Sequence, residues 1–292
     1  MIYLILFILL VLAVPFFPYF YFFLTNIFNI ICYGCKDIFE YIKYKKYNNF
    51  TKYGRIVLYS ASGTQVFGSG KTLSMIKQIR GIYKHYNGLK VYDFDSEQFV
   101  TQKIHIISNV ELYDIPYIRF QNVNQFIDID KFGFGPMDIT IFVLDESGAI
   151  FNSRQFRDNI GTEMLTRLLQ SRKNKCCLYM TSQRLQFTDK LLREILSNVV
   201  ECRKIWRICF NKVFNAIDLE YALNPNIVKS TSLNIWFSKD KDYNSYNTYQ
   251  LVEQLRKDYN PDDYLSTEEI LVSYGEATHN KEVATNIKKK YR

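Results

Sequence analysis

The chain opens on an apolar run: Met1 to Cys35 contains no Asp, Glu, Lys, Arg or His. A bilayer-crossing helix needs only ~20 apolar residues. Pro15 and Pro18 predict a kink or a split within the run. The expectation is a span over residues 2–24 with an interfacial stretch as far as Cys35; a tight re-entrant hairpin is the alternative. A cleaved signal peptide fits poorly, because there is no basic leading segment and the run is too long. Beyond residue 50 the pattern shortens. Arg55–Tyr59, Ile104–Ile107, Ile139–Leu144 and Cys177–Met180 read as strands, and Ile139–Leu144 has the continuous β-branched and apolar character of a strand buried on both faces. Leu73, Ile76, Ile79 and Ile82 recur at helical spacing and predict a helix over Thr72–His85. Further helices are expected over Gly161–Ser171 and Asp189–Leu196. Val199–Phe210 reads as a strand region, with a hairpin to the segment after it as one option. Residues 110–138, with Gly133, Gly135 and Pro136, read as loop-rich. Strands alternating with helices predict an α/β fold with a parallel sheet and right-handed crossovers.

Four regions follow: an apolar anchor over 1–35, a basic connector over 36–52, an α/β domain over 53–255 and a polar tail over 256–292. The tail ends in Lys288-Lys289-Lys290-Tyr291-Arg292, a pattern expected of a loosely ordered basic terminus. Lys36, Lys43, Lys45, Lys46, Lys52 and Arg55 follow the apolar run, which by the positive-inside rule puts everything after it in the cytoplasm.

The net charge of +8 suits a partner made of phosphates, whether nucleic acid or anionic lipid. The six cysteines form no disulfide framework, in keeping with a reducing compartment. Cys32-x-x-Cys35 lacks the second ligand pair that zinc requires, and His85, His105 and His279 supply none. Cys176 and Cys177 sit inside an apolar run and read as core.

Between the first strand and the first soluble helix lies Thr64-Gln-Val-Phe-Gly-Ser-Gly-Lys-Thr72. Backbone amides of a glycine-rich turn, backed by a helix N-terminus, bind phosphate. The cradle is read as Gly68, Ser69, Gly70, Lys71, Thr72 and Leu73, with Lys71 reaching the β- and γ-phosphates and Thr72 placing its hydroxyl on Mg²⁺. The pattern G-x-x-x-x-G-K-[ST] is incomplete, because Gln65 stands at its first glycine. The strand Ile139–Leu144 ends in Asp145-Glu146. Asp145 is expected to hold Mg²⁺ and Glu146 to orient the attacking water. The strand carrying them is expected beside the strand that precedes the phosphate loop. Gln183, past the end of Cys177–Met180, is a candidate sensor of the γ-phosphate between loop and acidic strand. Arg154 and Arg172 are candidates for a charge-stabilising arginine supplied to a neighbouring subunit. These features together describe a P-loop NTPase of the RecA-like kind, using ATP and Mg²⁺.

Asp145-Glu-Ser-Gly-Ala-Ile-Phe-Asn-Ser-Arg154 resembles the corresponding segment of the Zot (zonular occludens toxin-like) assembly ATPases of filamentous phages, within the broader FtsK/HerA group of motors. The resemblance extends to Ile107-Ser108-Asn109, to Ser171-Arg172-Lys173 before Ser182-Gln183, and to Tyr246-Asn-Thr-Tyr249. It spans residues 53–251. Two features depart from it: Gln65 in place of a glycine, and an apolar segment that precedes the motor domain instead of following it. The resemblance implies a homo-oligomeric ring at the host inner membrane, single-pass with the ATPase domain cytoplasmic. It would act on viral DNA, single-stranded in such systems, alongside phage coat or assembly proteins. A cellular or conjugative DNA translocase and a nucleotide-binding membrane scaffold without motor activity are the alternatives; the Asp145-Glu146 pair weighs against the scaffold, which needs no water-polarising glutamate.

Overall fold

The computed structural model describes residues 17–44, 53–63, 65, 67–93, 95–121, 124–127, 129, 134–150 and 162–247. The chain divides into two units, Met1–Asn48 and Asn49–Arg292. In the first unit, helix α1 runs over Phe17–Tyr44. It runs without a break past Pro18, so the split expected there is absent, while Pro15 lies outside the described residues. The helix also continues through residues 36–44 of the expected connector. Phe20, Phe22, Phe28, Ile31 and Phe39 are exposed on it. Among the described residues no helix is long and apolar enough to cross a membrane. Residues 2–16 of the expected span lie outside them, as does the 256–292 tail.

The second unit is a three-layer α/β arrangement. Strand β1 (Ile56–Ala61) leads through the glycine-rich loop into helix α2 (Lys71–Tyr86). A two-stranded ribbon, β2 (Lys90–Asp93) with β3 (Gln98–Thr101), follows. Then come β4 (Ile104–Ser108), β5 (Ile118–Arg119), a short helix α3 (Asn124–Ile127), β6 (Ile139–Leu144) and another short helix, α4 (Ser147–Ile150). Helix α5 (Thr162–Leu169) precedes β7 (Cys176–Thr181) and α6 (Lys190–Ile195). The chain continues through the hairpin β8 (Asn198–Ile205) and β9 (Ile208–Asn215), helix α7 (Ala216–Glu220), β10 (Ser232–Phe237) and helix α8 (Asp240–Tyr243).

The main sheet has eight strands in the order β10-β9-β8-β1-β7-β6-β4-β5. It is parallel from β8 to β5, while β9 and β10 join antiparallel. The expected parallel sheet therefore holds for its centre, and the hairpin option is realised at one edge. β6 is buried at all six positions, because β4 and β7 flank it and both faces are covered.

Alternate residues of a strand face opposite sides of the sheet, and two cores follow from that. On one side Val57, Tyr59, Ile141 and Val143 pack against Leu73, Ile76 and Ile79 of α2. On the other, Leu58, Phe142 and Leu178 pack against Met164, Leu168 and Leu192. Phe142 stacks on Phe126 with ring centroids 3.8 Å apart. Cys176, Cys177 and Cys202 belong to these cores; burial pushes their thiols up to about 12, about 11 and about 12, so they remain protonated and unreactive.

Helix α2 is anchored by charge as well as by apolar packing. Arg80 bonds Asp114 through Nε at 2.6 Å and Asp242 through Nη1 at 3.1 Å. These bonds tie the helix that follows the phosphate loop to the loop after β4 and to α8.

Candidate nucleotide-binding site

The carboxyl ends of the parallel strands converge where ligands bind in open α/β sheets. At that edge β1 gives way to the loop Ser62–Gly70. Gly68 and Gly70 both have positive φ, 69° and 82°, a region in which a side chain is strained and glycine is not. Gly70 caps α2, and the first helical bond runs from the Ser74 N–H to the Gly70 carbonyl at 2.9 Å. The amide dipoles of that turn therefore point into the loop. Within the loop the Ser69 hydroxyl is buried, with the residue only 1% exposed, and has no partner. A buried hydroxyl left without a partner is costly, and a phosphate oxygen would satisfy it.

Gln65, the departure from the glycine pattern, has a role of its own. Its side-chain amide donates to the Lys204 carbonyl at 3.2 Å, pinning the first half of the loop to β8.

Opposite the loop stands the tip of β6. The Thr72 hydroxyl donates to the Asp145 carboxylate at 2.8 Å, so the first turn of α2 and the end of β6 meet. The Asp145 and Glu146 carboxylates both act electrostatically on Lys71. Burial pulls the Lys71 ammonium below its ordinary range, with these carboxylates opposing the shift. A hydroxyl and a carboxylate side by side are the hard oxygen donors that Mg²⁺ takes, usually with retained water and substrate phosphate. The residues therefore fit the metal. Glu146 has φ 50°, a left-handed conformation that non-glycine residues hold only where surrounding structure enforces it.

That enforcement comes from two residues the sequence reading did not single out. The Thr181 hydroxyl, at the end of β7, accepts from the Glu146 N–H at 2.9 Å and donates to the Asp145 carboxylate at 2.5 Å. Asn109, past the end of β4, makes a reciprocal pair with the Asp145 backbone: its Oδ1 accepts from the N–H at 2.8 Å and its Nδ2 donates to the carbonyl at 3.0 Å. Both acidic residues are thus held by side chains from flanking strands. Asn109 stood in the sequence only as part of a Ser-Asn turn, and Thr181 only as a strand end; each acts through a contact with a different strand.

Contrary to expectation, the acidic strand does not lie beside β1. β7 is inserted between them, paired to β1 by Tyr59 with Thr181 and to β6 by Leu144 with Met180. Two strand spacings, about 10 Å, therefore separate the loop strand from the strand that ends in Asp145. That interval is where Thr181 stands. Gln183 lies just beyond, its carbonyl accepting from the Ala61 N–H at the end of β1; it is at the loop edge, between the loop and the acidic tip. Leu73 is buried under α2 among the sheet residues, so only its backbone faces the cradle. Arg172 is elsewhere. Gly54, just before β1, approaches it so closely that an added Cβ would lie 2.7 Å from the Arg172 Cβ. That is the amino end of a six-residue strand, about 20 Å from the loop, so Arg172 does not serve the nucleotide site of its own chain. Arg154 lies outside the described residues.

A glycine-rich turn between strand and helix, an acidic strand tip two strands away and a polar strand end between them are now in one place. They stand at one end of a mixed α/β domain built on a mainly parallel eight-stranded sheet. Solved structures similar to this chain include the N-terminal domain of zonular occludens toxin from Neisseria meningitidis (16% identity, covering 66% of this chain and 98% of that one, TM-score 0.43). Another is the genome packaging NTPase of Sulfolobus turreted icosahedral virus 2 in complex with ATP-gammaS (11%, 62% and 95%, TM-score 0.36). A third is EssC, ATPases 2 and 3, from Geobacillus thermodenitrificans (15%, 80% and 45%, TM-score 0.35). No protein-family profile matches the sequence, and no curated protein matches it.

Thr181 acts through Asp145 and Glu146 and is a positioning residue. Thr181→Val keeps the shape and removes both hydrogen bonds. It is expected to lower kcat for ATP hydrolysis about tenfold with little change in ATP affinity, and Thr181→Ser to restore most of the rate. An affinity loss matching the kcat loss would show instead that Thr181 shapes the binding pocket.

Proposed function

We propose that the chain is an ATPase that, held at a membrane through its N-terminal segment, drives phage DNA packaging, virion assembly or export as a homo-oligomeric ring. The observation that carries the ATPase reading is the meeting of Thr72, Asp145, Glu146 and Lys71 at one end of the sheet. Lys71 would bind the β- and γ-phosphates, and the loop amides and the Ser69 hydroxyl would hold their oxygens. Thr72 and Asp145 would hold Mg²⁺, which when bound neutralises charge on the phosphates. Glu146, with its backbone fixed by Thr181, would orient the water and accept its proton. Gln183, just past the adjacent strand end, would contact the γ-phosphate or that water.

The coupling to viral DNA rests on the ordered motifs resembling Zot assembly ATPases and on the net charge of +8. A grip on DNA would be directed at its phosphates and weakened by salt. The membrane assignment rests on the charge-free stretch Met1–Cys35 and on the aromatic residues exposed along α1. Location at the host inner membrane rests on the resemblance to Zot assembly ATPases, and the cytoplasmic side of the ATPase domain on the lysines after that stretch.

One experiment tests these parts together. Full-length protein is recovered from the membrane fraction in detergent and assayed for ATP turnover with and without single- and double-stranded DNA at two salt concentrations. Magnesium-dependent turnover stimulated by DNA at low salt is expected. Recovery only in the soluble fraction removes the anchor, turnover indifferent to DNA removes the translocation role, and absence of turnover removes the ATPase.

A further inference from the structure

The two ends of a triphosphate are not equivalent in this site. Thr72 and Asp145 set its β–γ end, and Asp145 follows β6, two strands to one side of β1. The α-phosphate, sugar and base must therefore leave in the opposite direction, across the end of β8, the strand on the other side of β1.

What stands there is the turn between β8 and β9, Trp206-Arg207. It is tied to the phosphate loop twice: by the Gln65 amide on the Lys204 carbonyl at 3.2 Å, and by the Lys204 side chain packed so close to Gly70 that a Cβ there would meet it at 3.4 Å. The turn is also held from behind. Arg207 pairs with Asp240 at 2.8 Å, and the Lys204 ammonium lies 4.8 Å from the centre of the Tyr243 ring.

Trp206 itself is 74% exposed and has φ 54°. Two-residue hairpin turns that require positive φ favour Asn, Asp and Gly; an indole gains nothing from that turn and buries little of itself. Among the described residues its ring contact is with Phe237, edge-to-face at 5.7 Å and 74°, which fixes its attitude while leaving ring surface to solvent.

We propose that Trp206 is the platform on which the base of the bound nucleotide stacks. This rests on the nucleotide-site reading above and adds the subsite for the base. Every base has a π-face, so stacking on an indole holds the base without reading its edge.

The test uses the full-length protein in detergent and the slowly hydrolysed ATP-gammaS, with inorganic tripolyphosphate as the base-free probe. Trp206→Ala is expected to weaken ATP-gammaS about tenfold and to leave tripolyphosphate binding unchanged. Trp206→Gly, which suits the positive φ and so keeps the turn, is expected to do the same; Trp206→Phe retains most of the affinity. The chain has two tryptophans, so in a Trp236→Phe background the remaining indole emission is expected to quench with ATP-gammaS and not with tripolyphosphate. Equal ATP-gammaS affinity in wild type and both small variants overturns the platform while sparing the phosphate site. The same holds if ATP-gammaS affinity is unchanged and only oligothymidylate binding falls, which would assign the turn to nucleic acid. If neither ATP-gammaS nor tripolyphosphate binds the wild type, the nucleotide site and the platform fall together.

Discussion

Lys71→Ala is expected to lower ATP turnover about 10³-fold, the scale of losing one preorganised charge-stabilising donor from a reacting centre. The lysine is the first residue of α2, directly after a glycine with φ 82°, so its side chain leaves the helix where the amide dipoles converge. Its ammonium is the cation that faces both carboxylates at the tip of β6. Without it those carboxylates and a triphosphate would confront each other with one fewer compensating charge.

The fold is expected to survive the change, for a reason of sign. The folded state lowers the Lys71 pKa, with burial as the largest cause. Between that lowered pKa and the ordinary lysine value the unfolded chain binds more protons, so this residue makes stability rise with pH through that window. Below the window, at neutral pH, the ammonium is a net burden on the folded state, and its removal is expected to leave the melting temperature unchanged or higher. Steady-state phosphate release and a thermal melt at pH 7 check both halves. Turnover at the wild-type rate would remove the phosphate-loop assignment, and a large fall in melting temperature would show that Lys71 is chiefly a structural residue.

Glu146→Gln is expected to separate binding from hydrolysis. The amide keeps the size and the exposed position of the carboxylate but cannot take a proton from water, and loss of a general base costs about 10²- to 10⁴-fold. The Thr181 bond to the Glu146 N–H at 2.9 Å is made by the backbone and is retained. The strained φ of 50° is tolerated by Gln as by Glu, so no rearrangement of the tip accompanies the substitution. Equilibrium binding should match the wild type or exceed it, because a negative charge near the γ-phosphate has been removed. Single-turnover hydrolysis should be slow enough for ATP to remain bound intact. Wild-type single-turnover rates would take the catalytic role from Glu146, and a binding loss equal to the rate loss would make it a ligand of the ground state.

The elements that carry the site were legible because each is specified locally. Leu73, Ile76, Ile79 and Ile82 at helical spacing predicted a helix over 72–85, and α2 occupies Lys71–Tyr86. Ile139–Leu144 is a strand with the predicted bounds and is buried at every position, because a run of apolar residues too short for a helix and ending in two carboxylates has few other solutions in an α/β chain. The hairpin after Val199 was legible as an option, whereas β10 was not, since Ser232–Phe237 is largely exposed and shows no clean two-residue alternation. The ribbon of β2 and β3 escaped because each of its strands is only four residues long.

Local sequence therefore determined the catalytic vocabulary: a glycine turn with a lysine and a threonine, and a buried strand with two acids at its tip. Tertiary structure decided the grammar. Only the strand order puts β7 between β1 and β6, and hence Thr181 between the loop and Asp145; only the approach of β4 brings Asn109 onto the Asp145 backbone. Only the position of β8 brings Lys204 to the loop and explains Gln65, and only the path of the chain before β1 sends Arg172 to the far end of the sheet. Periodicity and motif spacing report which face of an element is buried and which chemistry it carries. Which strand lies next to which is settled by packing whole faces against each other, a sum over residues far apart in sequence that no single segment encodes.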